Sequence, residues 1–303
     1  MYLMYLENPR KRKKSEEEID LFLNVVDFAK ESQKALSSVL MRDGRVIIDE
    51  LLEVNLPIIS PNGLSERFVP DANGFIYVVT RDSYKKFKEK LSNFNAVRYR
   101  GLYVYGPIGI GKSFTLYTLA AELRLNDKFR VTYINNCADW RNNEYEYILK
   151  ELVMTFYEDK IQEKSIIQWC DEIMGNTQKG DKNLMIMLIN TLIRYTCEKN
   201  FEWVLIFDQH NGLFNPPVFK DFPFSIISTI GFSRGNHIKI IISASANNEG
   251  FPTEMKDWEV YDLASHQYID KEFNQWCAHF SIDPKSDDAI DAFYWSGLML
   301  HMF

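Results

Sequence analysis

Eight consecutive residues carry the strongest chemical pattern in this chain: Gly106, Pro107, Ile108, Gly109, Ile110, Gly111, Lys112 and Ser113. They satisfy G-x-x-x-x-G-K-[ST] in full. Glycines at 106, 109 and 111 let the backbone curl until successive N–H groups point inward, forming a concave donor surface for phosphate oxygens. A helix starting at Lys112 adds the positive end of its dipole to the same spot. The Lys112 ammonium then neutralises the β- and γ-phosphates of a nucleoside triphosphate, and the Ser113 hydroxyl ligates Mg²⁺. Phe114 completes the nucleotide-binding set. The dinucleotide-binding pattern is excluded, because it runs G-x-G-x-x-G and has no place for a lysine.

A second pattern is an apolar run ending in an acid, Val204-Leu-Ile-Phe-Asp208. Enzymes with such a phosphate-binding loop hold Mg²⁺ through an Asp at the end of a core strand. Asp208 is therefore assigned to the metal together with Ser113, and to catalysis together with Lys112. Many such enzymes place Glu directly after the Asp to polarise the attacking water, whereas this chain has Gln209. A neutral amide cannot accept a proton as a base, but it can orient a water. The expectation is tight nucleotide binding with slow turnover, or a catalytic group supplied from elsewhere. The polar end of a later apolar run, Ser243-Ala-Ser-Ala-Asn-Asn248, is where a residue sensing the γ-phosphate would sit, and Asn247 is assigned that role. Arg141 and Arg234 occupy positions where a charge-stabilising arginine could act; either also reads as an ordinary surface arginine.

These groups need elements to position them. Gly101–Tyr105 reads as a strand that stops at Gly106, and the helix after it carries Leu116, Leu119, Ala120 and Leu123 on one face. Val131–Ile134, Trp203–Phe207 and Ile238–Ser243 read as further strands, with Glu259–Leu263 as a last short one. Helical stretches fall at Glu144–Asp159 and Asn183–Glu198. Alternation of this kind implies an α/β fold, a mostly parallel sheet with helices on both faces. The order suits the P-loop division in which an additional strand lies between the loop strand and the Asp strand. Outside this core, Ser15 with Glu18 forms a capping box for a helix toward Leu40, with Ile19, Phe22, Leu23 and Val26 on one face. Residues 41–70 read as connection rather than core, Phe75–Thr80 as a strand and Asp82–Leu91 as a basic amphipathic helix. The tail looks helical at Asp270–Phe280 and Asp287–Trp295. The expected organisation is a helical N-terminal segment (1–64), a P-loop NTPase core (65–264) and a partial helical lid (265–303).

Composition narrows the function classes. With 46% hydrophobic and 25% charged residues the chain is an ordinary globular sequence. Its net charge of −7 argues against general nucleic-acid coating. Cys137, Cys170, Cys197 and Cys277 are far apart and show no C-x-x-C spacing, so reduced, mostly buried thiols are expected. No apolar run approaches the roughly 18 residues that a membrane span needs, and the N-terminus has no secretory h-region. The sequence reads as soluble and intracellular. Arg10–Lys14, a run of five basic residues, reads either as a solvated lead-in or as a nuclear-import signal.

Four segments together resemble the NTPase module of Crinkler-type effectors: Tyr103-Val-Tyr-Gly-Pro-Ile-Gly-Ile-Gly-Lys-Ser113, Tyr133-Ile-Asn-Asn-Cys-Ala-Asp-Trp140, Phe207-Asp-Gln-His-Asn211 and Ser243-Ala-Ser-Ala-Asn-Asn248. The D-Q-x-N and S-A-N-N pieces are the more diagnostic, and the resemblance covers about residues 70–280. It implies an effector secreted by oomycetes or fungi and acting in host cells, commonly the nucleus. Residues 1–64 do not match the family's ubiquitin-like header, and no nuclease-like domain is seen. Trp295-Ser-Gly297 matches only the start of the lid's Gly-x-x-Pro turn, so the lid is read as incomplete.

The leading expectation is a Mg²⁺-dependent domain that binds ATP or GTP and hydrolyses it slowly. The alternative is a nucleotide-binding interaction module that never hydrolyses. A phosphotransferase is weaker, since no Arg-rich acceptor clamp is visible. A protein partner or self-association fits the first two readings; nucleic acid is not indicated for this chain, nor is a membrane.

Overall fold

A computed structural model describes residues 16–51, 53–106, 111–175, 180–214, 221–232, 237–244, 257–263, 270–279 and 281–286. The chain opens with helix α1 (Glu16–Leu40), a small hairpin of β1 (Met41–Arg42) and β2 (Arg45–Val46), and strands β3 (Glu53–Pro57) and β4 (Phe75–Val79). Helix α2 (Asp82–Ser92), strand β5 (Gly101–Tyr105) and helix α3 (Lys112–Leu123) follow, then β6 (Phe129–Ile134), α4 (Cys137–Asn142) and α5 (Glu144–Phe156). After a second small hairpin, β7 (Lys160–Ile161) and β8 (Lys164–Ser165), come α6 (Ile166–Met174), α7 (Lys182–Glu198), β9 (Glu202–Phe207) and α8 (Asp221–Phe232). Strands β10 (Ile238–Ser243) and β11 (Trp258–Asp262) and helix α9 (Asp270–His279) complete the described elements.

The central sheet has five strands in the order β11-β5-β10-β9-β6, and every pairing is parallel. Strand β10 lies between the loop strand β5 and the acid strand β9, the additional-strand arrangement expected from the sequence. Both faces are covered. Trp203, Leu205 and Phe207 of β9 point into a core built with α1, α5, α6 and α7, while Val204 and Ile206 point into the core on the other side with α2 and α3. A strand buried on both faces has no reason to alternate polar and apolar residues, which is why β9 reads as a continuous apolar run.

The segment before the core corrects two expectations. Among the described side chains of α1 the buried apolar ones are Phe22, Val25, Ala29, Leu36 and Leu40, whereas Leu23 is 44% exposed. Spacings of three, four and seven keep one stripe in line, and a neighbour one residue on is turned about 100° away from it. Residues 41–70 are not mere connection. Strand β3 pairs antiparallel with β4, straddling position 64, and Leu56, Ile59 and Phe68 are buried. At the other end, α9 packs on β4, with His279 stacked on Tyr77 and Gln275 donating to the Glu53 carboxylate. Asp287–Trp295 and Trp295–Gly297 lie outside the described residues, as does Ser15. Cys137, Cys170 and Cys277 are buried thiols outside any disulfide, and Cys197 is exposed.

Candidate functional site

Because the sheet is parallel, β5, β9, β10 and β6 all deliver their C-terminal ends to one edge, where open α/β sheets bind ligands. The loop after β5 begins at Gly106 with φ 147° and ends at Gly111 with φ 91°, values that side-chain-bearing residues rarely adopt. Pro107, Ile108, Gly109 and Ile110 lie outside the described residues. Gly111 is the N-cap of α3 and no side chain caps that helix, so its first turn faces the site with its dipole end. Lys112 is 5% exposed, and its Nζ donates to the Gly106 carbonyl at 2.6 Å. Burial lowers its pKa to about 8; the Asp208 charge opposes that shift and Arg67 adds to it.

Asp208 is fully buried at the end of β9. Its Oδ1 accepts the Gln209 backbone N–H at 2.9 Å and the Ser243 hydroxyl. Its Oδ2 is buried without a hydrogen-bond partner. The Ser113 hydroxyl is near enough to pull the carboxyl's pKa down, short of hydrogen-bond geometry to that oxygen, while burial pushes the pKa up more strongly. A buried carboxylate oxygen left unsatisfied is costly, and a cation beside Ser113 would satisfy it. Ser113 and Asp208 thus fit the expected Mg²⁺ pair. Among the described residues no cluster of three His, Cys, Asp or Glu side chains could hold a metal alone, so an ion here depends on phosphate oxygens as well.

Gln209 adopts φ 56° and its Nε2 donates to Ser65 Oγ at 3.0 Å. Sequence reasoning missed that partner. It also missed Arg67, whose Nη1 lies 3.5 Å from Ser113 Oγ. Both belong to a strap, residues 57–68, that runs from beside α3 to the C-terminal ends of β6 and β9. Tyr117 donates to the Pro57 carbonyl at 2.6 Å, the buried Arg124 donates to the Ile59 carbonyl, and Asn135 donates to the Gly63 carbonyl at 2.6 Å. Ser60 and Asn62 both donate to Glu151 Oε1, at 2.6 and 3.1 Å. Glu151 is fully buried; burial pushes its pKa up to about 7 while Arg124 holds it down. The signal available in the sequence is the density of small polar residues at Ser60, Asn62, Gly63 and Ser65 between buried Ile59 and Phe68.

Other expected residues fall elsewhere. Arg141 sits in the last turn of α4, and it is Arg67 that reaches Ser113. Arg234 and Asn247 lie outside the described residues. Phe114 is half-buried and packs edge-on against Phe68, 5.0 Å between ring centroids. Beside it opens a mostly apolar cavity of about 100 Å³, lined by Val78, Thr80, Tyr84, Gly111, Phe114 and Thr118 among others.

The strand order, the loop and the acid together define a P-loop nucleoside-triphosphatase fold. No protein-family model matches the chain, and no curated protein does. Among solved structures, a Walker-type ATPase of Pyrococcus abyssi is 13% identical, with a TM-score of 0.40 over 70% of this chain and 61% of that one. DnaA of Aquifex aeolicus bound to AMPPCP is 15% identical, with a TM-score of 0.40 over 78% of this chain and 60% of that one. Cdc6p of Pyrobaculum aerophilum is 16% identical, with a TM-score of 0.39 over 73% and 51%. The chain therefore spans less than two thirds of each of these proteins. The class assignment rests on the strand order and on the residues at the strand ends.

Among the described residues no helix is long and apolar enough to cross a membrane.

Proposed function

We propose that this chain binds ATP or GTP with Mg²⁺ at Gly106–Ser113 and hydrolyses it slowly, as the NTPase module of a Crinkler-like protein. The observation that carries the binding reading is the convergence of three groups at one sheet edge: a buried Lys112, the Ser113 hydroxyl and the unsatisfied Oδ2 of Asp208. Lys112, now folded back on Gly106, would exchange that carbonyl for phosphate oxygens, which are stronger partners for an ammonium. Ser113 and Asp208 would hold Mg²⁺, which neutralises charge on the outer phosphates. The base would enter the cavity between β4 and the start of α3. In hydrolysis, water adds to the γ-phosphorus as the bond to the β–γ bridging oxygen breaks, giving diphosphate, inorganic phosphate and a proton released to solvent. Gln209 can orient that water but not deprotonate it, so turnover is slow.

The non-hydrolysing interaction module is the second reading, and the Gln209–Ser65 bond favours it, since that bond already occupies the amide nitrogen. The Crinkler assignment is supported by the four sequence segments; secretion and action in a host nucleus rest on it. A protein partner or self-association belongs to either reading. Calorimetry with ATP and GTP, with and without Mg²⁺, tests binding, and steady phosphate release separates the two readings. Absence of binding to either nucleotide would end both.

A further inference from the structure

We propose that Arg67 carries a second positive charge to the terminal phosphate from within the same chain, so that strap 57–68 distinguishes triphosphate from diphosphate. This rests on the nucleotide-binding reading above and assigns a residue to it. The Ser113 hydroxyl marks the side of the loop where the outer phosphates and the metal meet. Arg67 Nη1 lies 3.5 Å from that hydroxyl oxygen, although the residue comes from a segment forty-six positions earlier in the chain. The same guanidinium is close enough to act electrostatically on both Lys112 and Asp208. Three charged side chains thus converge on one point, and two of them are cations.

The placement is built rather than accidental. Arg67 is exposed and forms no ion pair with a carboxylate among the described residues, so its head is available. Its backbone is not. Next to it, Phe68 is buried against Phe114 and Tyr117 of α3, with ring centroids 5.0 and 4.9 Å apart. Two residues before it, the buried Ser65 accepts from Gln209, and Gly63 is held by Asn135. An anchored backbone leaves only the side chain to be ordered when a ligand arrives, and the planar guanidinium fork matches two oxygens of one phosphate. Two like charges beside each other are costly until an anion arrives, which is what a phosphate-binding pair requires. A diphosphate lacks the group that Arg67 would reach, whereas Lys112 still meets its β-phosphate.

The test compares wild type, Arg67→Ala and Arg67→Lys by calorimetry with ATP, ADP, GTP and GDP in the presence of Mg²⁺. Loss of one charge-assisted, two-pronged contact predicts that Arg67→Ala weakens triphosphate binding by roughly tenfold or more. Diphosphate affinity should stay within about twofold, as no contact to it is removed. Arg67→Lys should fall between, because it keeps the charge and loses the fork. Amide hydrogen exchange across 60–68 should slow more with a non-hydrolysable triphosphate than with the diphosphate, and Arg67→Ala should abolish the difference. Equal losses for both nucleotides would overturn the proposal, and so would no loss at all. A gain in affinity would do the same, since it would mean that Arg67 merely competes with Mg²⁺ for Asp208. Wild-type protein that binds none of the four would instead sink the nucleotide-binding reading itself.

Discussion

The site has two walls of different construction. One is the loop from Gly106 to Ser113, where Lys112 bonds a carbonyl only 6 positions away. The other is the strap, held by side chains that are distant in sequence: Tyr117 is 60 positions from Pro57, Asn135 is 72 from Gly63, Glu151 is 91 from Ser60, and Gln209 is 144 from Ser65. The first wall is a chemical device that needs little but its own backbone and a helix. The second is a product of the whole fold. Breaking the first should cost ligand and spare the fold; breaking the second should cost stability first.

Lys112→Ala breaks the first wall most directly. Two charge-assisted phosphate contacts at roughly 1.5–3 kcal/mol each are lost, so triphosphate affinity should drop by more than a hundredfold. Thermal unfolding should show no destabilisation, because a buried ammonium is itself a burden on the fold. A clear loss of stability would merge the two walls into one.

Glu151→Ala is the matching cut in the second. It strands the buried Arg124 and removes the acceptor of Ser60 and Asn62, a change that costs about 3 kcal/mol where a buried pair is broken. Urea unfolding measures it, and Glu151→Gln, which keeps an acceptor, should lose less. Unchanged stability would show that the strap is held without its buried pair.

Titration sharpens the contrast. Lys112 must be charged to bind phosphate, and its pKa in the free protein is lowered to about 8. Phosphate favours the charged form and raises that pKa, so binding takes up a proton above pH 8. Affinity should be level below pH 8 and fall by up to about tenfold per pH unit above it, as the free ammonium deprotonates. A profile level through pH 9 would detach Lys112 from the ligand.

The smallest expected effect is that of Asp208→Asn. Nucleotide binding should lose its Mg²⁺-dependent gain, on the order of tenfold, and leave metal-free binding nearly intact. Equal losses with and without metal would make Asp208 a purely structural residue of β9.

The first wall was legible in the sequence and the second was not, for a physical reason. Loop, strand and helix leave local marks: glycines where φ is positive at Gly106 and Gly111, and apolar runs where β5, β9 and β10 are buried on both faces. The strap leaves only a weak mark, the polar run from Ser60 to Ser65, since its partners lie on or just past α3, α5, β6 and β9 and each donates or accepts from afar. Its polar residues therefore read as turn signals, and Ile59 and Phe68 as incidental. Three described helices, α4, α6 and α8, also lie outside the sequence expectation. Ser165 and Gln168 form the reciprocal capping box of α6, a four-residue signal that was available. In α8, Pro223 masks a helix because it falls in the first turn, where it is tolerated.

The reach of the Ser65–Gln209 bond also sets an order of assembly. Taken alone, closing a loop of 144 positions rather than 6 costs about 3 kcal/mol more in chain entropy. On the ribosome the chain emerges from its N-terminus. Among the described strands β5 pairs with β10 and β11, so the phosphate loop gains its sheet support, like Asp208 and the Gln209 anchor for Ser65, only well after α3 has been made. A nascent chain thus passes through a stage in which the loop residues and the strap have been made but the acid, the Gln209 anchor and the sheet partners of β5 have not, and nucleotide engages fully only once synthesis has passed β11.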